Sequence, residues 1–171
     1  SLDSAPSDAA LILGAYLAFD TACVDYLIGD YVFAIWDGRN RTLFTVRDPI
    51  GSRLFYYVLT PELFAFSSEV RPLKMLPGVD LSHQPLYIAD FLMLGEAFLI
   101  DRTQTPFRGI RRMDRGHLLM LERGALTDRA FWAVPEQTQP ASFRQPKDAI
   151  EAFRTVFEAS VRDRLRGERV V

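Results

Sequence analysis

The chain has 171 residues, 49% of them apolar, which suits about one ordinary domain with a substantial core. Its 20 basic and 22 acidic residues leave a formal charge of −2, which argues against nucleic acid as the default partner. A single cysteine excludes an internal disulfide and fits a reducing, cytoplasmic setting. No signal peptide is visible, and no apolar run approaches the roughly 18–20 residues that cross a bilayer, so no membrane partner is expected.

Taken in chain order, residues 1–6 read as a loose end. Residues 8–20 carry Leu11, Ile12, Ala15, Tyr16 and Phe19 at helical spacing, with Ser7 as N-cap and Asp8 in the first turn. A second short helix is expected over 22–27, ending at Gly29. Four runs rich in aromatic and β-branched residues follow, at 31–36, 42–46, 54–59 and 63–66, separated by Asp37-Gly38, Pro49-Ile50-Gly51 and Thr60-Pro61-Glu62. They read as consecutive strands. The first is apolar throughout, which predicts a strand covered on both faces. A short helix over 69–75 is limited by Pro72, with Ser68 and Glu69 as candidate caps. A helix is expected over 84–94 with Pro85 near its start, then an arginine-rich link at 105–115. A hairpin is expected from 118–121 and 126–132 around Arg123-Gly124. Residues 133–145 read as a linker. The last element is a helix over 147–166, with Ile150, Phe153, Val156, Phe157, Val161 and Leu165 on one side.

The order of these residues resembles one family. Gly29, Asp30, Phe33, Ala34, Ile35, Trp36 and Asp37, then Arg47, Asp48, Gly51, Tyr56 and Tyr57, then Phe66, Ser68 and Glu69 are similar to the glutaminase domain of the asparagine synthetases. These are class II glutamine amidotransferases of the N-terminal-nucleophile type. Ser7-Asp8, the segment 106–117, Phe131-Trp132 and the helix at 152–165 extend the likeness over nearly the whole chain. The resemblance implies a partial αββα N-terminal-nucleophile sandwich, an α+β fold, with a linker hairpin and a C-terminal helix. It implies the C-terminal half of a glutaminase domain at 1–76, a connecting segment at 77–145, and at 146–171 the helix that leads into an ATP-dependent synthetase domain. The chain then looks like an internal fragment.

Implied chemistry follows residue by residue. The family's N-terminal cysteine and its Asn-Gly-Glu oxyanion segment have no counterpart here, so no catalytic residue is assigned. Asp8 stands where the family's aspartate holds the α-ammonium of glutamine, and Ala10 replaces its usual glutamate. Ser1 reads as an exposed residue rather than a nucleophile, because the segment after it is polar and contains Pro6. Cys23 reads as a small buried side chain. His83 and His117 stand alone, without a second metal ligand at suitable spacing; His117 suits a structural hydrogen bond. Arg47 and Asp48 read as a structural pair beneath the adjacent loop, and the arginines from 108 to 115 as solvated surface.

The expectation for the parent protein is glutamine-dependent, ATP-dependent amide formation on an aspartate-like substrate, with ATP and Mg²⁺ acting outside this segment. Two other readings stay open. One is an amidoligase with a degenerate glutaminase domain, of the lasso-peptide cyclase or β-lactam synthetase type. The other is a non-catalytic binding or scaffold module. A partial sandwich should expose an apolar sheet face, so self-association into a homo-oligomer is expected.

Overall fold

The structure, a computed structural model, describes residues 6–95, 99–134, 143 and 145–165. Ser1, most of the expected linker at 133–145 and the chain beyond 165 lie outside the described residues. The chain divides into two compact units, Ser1–Ala133 and Val134–Val171.

The first unit is layered. Helix α1 (Asp8–Phe19) begins with Ser7, whose Oγ accepts from the Ala10 N–H at 3.3 Å. Asp20, with φ 54°, breaks the helix, and a 3₁₀ segment (Asp20–Tyr26) replaces the second α-helix expected there. The stretch Asp8–Tyr26 corrects one expectation, because its 19 residues are long and apolar enough by composition to cross a membrane. Here it leans Ala15, Tyr16, Cys23 and Val24 on a sheet instead.

The four expected strands form, as β1 (Val32–Asp37), β2 (Thr42–Arg47), β3 (Tyr56–Leu59) and β4 (Phe64–Ser67). They do not make one sheet. β1 and β2 join β6 (His117–Glu122) and β7 (Ala125–Ala130) in the order β1-β2-β6-β7, while β3 lies between β4 and β5 (Arg111–Arg112). All pairings are antiparallel. Residues of the expected connecting segment thus supply three strands to the two sheets. The β6–β7 hairpin turns on Arg123 and Gly124, both with positive φ, the conformation that matches strand twist.

Alternation along the strands sorts the core. Phe33, Ile35, Phe44, Val46, Leu118 and Met120 meet Cys23 and Val24 beneath α1. The opposite face sends Val32, Leu119 and Leu126 against Tyr57 and Phe64 of the second sheet, with Phe55 and Met113 between them. Behind the second sheet, Val58 packs with Leu73 of α2 (Val70–Leu73), Ile110 and Phe107. The result is helix on sheet on sheet, backed by a short helix and loop.

β1 meets the expected cover on both faces only in part, with Phe33 and Ile35 in one core and Val32 in the other. It lies at the end of its sheet, and Trp36 is 62% exposed. The buried strand is β2, despite its polar Thr42, Thr45 and Arg47, because it has a strand on each side and cores on both faces. The expected caps of α2 are also corrected. Glu69 occupies the N-cap without a side-chain bond, and Ser67 Oγ instead accepts from the Glu69 N–H at 3.1 Å. Helix α3 (Pro85–Leu94) follows with Pro85 at its first position. In the first unit, exposed apolar side chains cluster on α1 and α3, at Leu11, Leu13, Leu17, Leu86, Leu92 and Met93, while the strands expose Trp36, Leu59 and Phe66. The second unit contains helix α4 (Pro146–Arg164), in which Phe153 and Phe157 stack at 6.0 Å.

Candidate functional site

Asp8 opens α1 and is exposed, with its carboxylate in the first turn, where the helix dipole favours negative charge. An exposed carboxylate at that place can receive an ammonium group by a charge-assisted hydrogen bond. Three surface recesses formed by described residues of this unit are lined without Asp8.

The most densely bonded part of the molecule is the loop after β2. Arg47 is buried, and its guanidinium donates to three carbonyls: Arg53 at 2.7 Å, Gly51 at 2.8 Å and Met113 at 2.5 Å. Burial, and then Arg112 nearby, lower its pKa from the ordinary arginine value. Asp48 is wholly buried. Its carboxylate accepts from the N–H groups of Ile50 at 2.9 Å, Gly51 at 2.7 Å and Ser52 at 3.2 Å. Its carbonyl accepts from Gly51 and Gly116, at 3.1 and 3.0 Å. The expected supporting role of this pair is therefore what the structure shows. Gly116 has φ 65°, and a Cβ there would stand 2.6 Å from the Trp132 carbonyl oxygen, so only glycine fits without movement. Tyr31 lies alongside. Its hydroxyl is buried without a hydrogen-bond partner among the described residues, and burial, reinforced by Asp48, pushes its pKa up to about 12.

The other candidates separate. Cys23 is fully buried, and burial followed by the Asp20 charge raises its thiol pKa, so it is a packing residue and a poor nucleophile. His117 Nδ1 lies 2.6 Å from Asp128 Oδ1 across the β6–β7 hairpin, the structural bond anticipated for it. His83 forms an isolated bridge with Phe107. No group of three or more His, Cys, Asp or Glu side chains among the described residues could hold a metal ion. The arginines after 105 are less idle than expected. Arg112 Nε donates to the Arg102 carbonyl at 2.6 Å, Arg108 Nε to that of His83 at 3.3 Å, and Arg111 and Arg112 form β5. Thr105, unremarked in the sequence, is buried and donates from Oγ1 to the Ile110 carbonyl at 2.7 Å. A threonine before proline gives no pattern that would single it out.

Residues 3–132 match the family described as Glutamine amidotransferase domain. The chain belongs to this family. The matched span covers α1, both sheets and the loop held by Arg47 and Asp48. Among curated proteins, the chain is 28% identical over 163 residues to "Asparagine synthetase [glutamine-hydrolyzing] 3" of Bacillus subtilis, covering 93% of this chain and 25% of that protein. It is 30% identical over 168 residues to "Asparagine synthetase [glutamine-hydrolyzing] 2" of the same organism, covering 91% and 22%. "Amidase chry2" of Gibberella zeae is 21% identical over 164 residues, covering 95% and 23%. The chain thus spans about a quarter of the length of these relatives. The described residues of this domain supply its scaffold, and Asp8, the candidate from the sequence, is exposed at the start of α1.

Proposed function

We propose that these residues hold and orient glutamine within a larger, glutamine-dependent amide-forming enzyme of the asparagine synthetase type. The observation that carries this reading is the likeness to two glutamine-hydrolysing asparagine synthetases over more than nine-tenths of the chain. The layered sandwich of two antiparallel sheets between helices supports the N-terminal-nucleophile architecture. In this reading Asp8 receives the α-ammonium of glutamine and fixes the amide for attack by a nucleophile elsewhere in the parent protein. Water then completes the conversion of glutamine to glutamate and ammonia. Ammonia displaces the activated group on the carboxylate of an aspartate-like substrate, forming the new amide bond. ATP, with Mg²⁺, would supply that activation in the remainder of the protein, in the cytoplasm.

One observation favours a second reading. Ala10 occupies the place of the family's usual glutamate beside Asp8. Loss of that group suits an amidoligase whose glutaminase site has degenerated.

The test uses the full-length protein with Asp8→Asn. Losing one charge-assisted hydrogen bond should raise the KM for glutamine by about 10–100-fold. Synthesis supported by added ammonia should be unchanged. An unaltered glutamine KM in the variant would remove Asp8 from the site. Amide synthesis that never draws on glutamine in the unmutated protein would favour the second reading.

A further inference from the structure

The turn end of the first sheet carries a recess that the glutaminase reading does not use. It has a volume of about 730 Å³ and is lined by Trp36, Arg39, Asn40, Arg41, Leu121, Arg123 and Gly124. Register explains the assembly. Trp36 pairs with Leu43, and Leu43 with Leu121, so indole and leucine lie in one row on the face toward the second sheet. The β1–β2 and β6–β7 turns end side by side, because Thr42 pairs with Glu122. Three guanidinium-bearing residues thus surround an indole that is 62% exposed.

Two acids beside these arginines, Asp37 and Glu122, offset part of their charge and leave one positive charge in excess. The Asp37 carboxylate is already engaged by the N–H groups of Arg39 and Asn40, at 2.8 and 3.3 Å, and by Asn40 Nδ2 at 2.9 Å. Those bonds hold its pKa below the usual carboxylate value. Glu122 pairs with Arg123 at 3.8 Å, with both side chains exposed. Among the described residues three non-glycines have positive φ, and two of them are Arg41 and Arg123, at 53° and 51°. Both lie in the turns that join paired strands, where positive φ belongs to the turn geometry.

We propose that this recess binds a small nucleotide, its ring stacked on Trp36 and its phosphate held by Arg39, Arg41 and Arg123. Guanidinium groups match phosphate oxygens in pairs, and indole offers a flat face to a base. The chain's net charge of −2 favours a free nucleotide over a strand of nucleic acid.

The experiment titrates AMP into the 171-residue chain carrying Trp132→Phe, so that quenching reports Trp36 alone. Saturable quenching by AMP is expected, with adenosine and inorganic phosphate each on the order of tenfold weaker. Arg39→Gln combined with Arg123→Gln should weaken AMP on the order of tenfold or more and leave adenosine unaffected. The proposal is overturned by absence of saturable quenching, by phosphate binding as tightly as AMP, or by a double variant that binds AMP normally. An adenine oligonucleotide that binds more tightly in proportion to its length would assign the recess to single-stranded nucleic acid and equally overturn it.

Discussion

Replacing Asp48 by alanine removes the acceptor for three backbone N–H groups in one loop, at 2.9, 2.7 and 3.2 Å. A hydrogen bond to a charged group contributes about 1.5–3 kcal/mol. Simple addition would overstate the loss, because Ile50 is 61% exposed and the loop rim can regain water. A lower bound is one charged bond, plus the cost of leaving the buried Arg47 guanidinium without its neighbouring carboxylate. That sum is about 3–4 kcal/mol. Asp48→Asn keeps one carbonyl oxygen and should lose about half as much. Urea unfolding followed by far-ultraviolet circular dichroism measures both. With a slope of about 1–3 kcal/mol/M, Asp48→Ala should lower the midpoint by about 1–4 M at an unchanged slope. Two results would refute the reasoning. One is a loss within about 0.5 kcal/mol for alanine, the ordinary range of a surface change. The other is asparagine as damaging as alanine, which would mean that acceptor count is not what holds the loop.

Two further expectations concern the same unit. Tyr31 has a pKa raised to about 12 against an ordinary value of 10.0. The folded state keeps its phenolic proton where the unfolded state releases it, so stability is intact below pH 10 and falls between about pH 10 and 12. Tyr31→Phe should flatten that alkaline decline in the unfolding midpoint and cost little near neutral pH, since the hydroxyl has no partner among the described residues; a large loss at neutral pH would contradict this. Exposed apolar side chains on α1 and α3 lead us to expect self-association of the 171-residue chain. Light scattering across a concentration series checks it, and a monomer at the highest concentration would count against the expectation.

Strands were legible where local chemistry set them. Asp37-Gly38 and Arg123-Gly124 separate apolar runs, and the β1–β2 and β6–β7 hairpins form on either side of them. Neighbours in a sheet were not legible, because strand order is decided by contacts distant in sequence. The apolar run at 31–36 predicts cover on both faces, yet β1 lies at a sheet end and exposes Trp36. β5 was invisible for a related reason. It is two arginines held by backbone pairing to Tyr56 and Tyr57, and backbone pairing leaves no side-chain signature. Asp20 adopts positive φ and ends α1, which no residue pattern announced, and a 3₁₀ segment follows in place of the expected helix. Asp8 was legible as a helix-starting acid from its position after Ser7. Only family resemblance added a substrate to it.

The residues that carried the resemblance most clearly turn out to hold backbone rather than perform chemistry. Arg47 and Asp48 together bond the loop at 50–53, the Met113 carbonyl and the Gly116 N–H. Met113 in turn donates its N–H to the Phe55 carbonyl at 2.9 Å and fills the space between the sheets. Gly116 accepts from Phe131 and Trp132, closing the far end of β7. The end of β2 and the entry to β3 are thereby tied to two adjacent side chains, and the open end of the β6–β7 hairpin to the Asp48 carbonyl. A motif with that task tolerates little change, because each partner is a main-chain atom whose position is fixed by the fold. It can therefore persist in a domain whose reacting groups have altered, and the match to glutamine amidotransferases is secure for the scaffold independently of what becomes of Asp8.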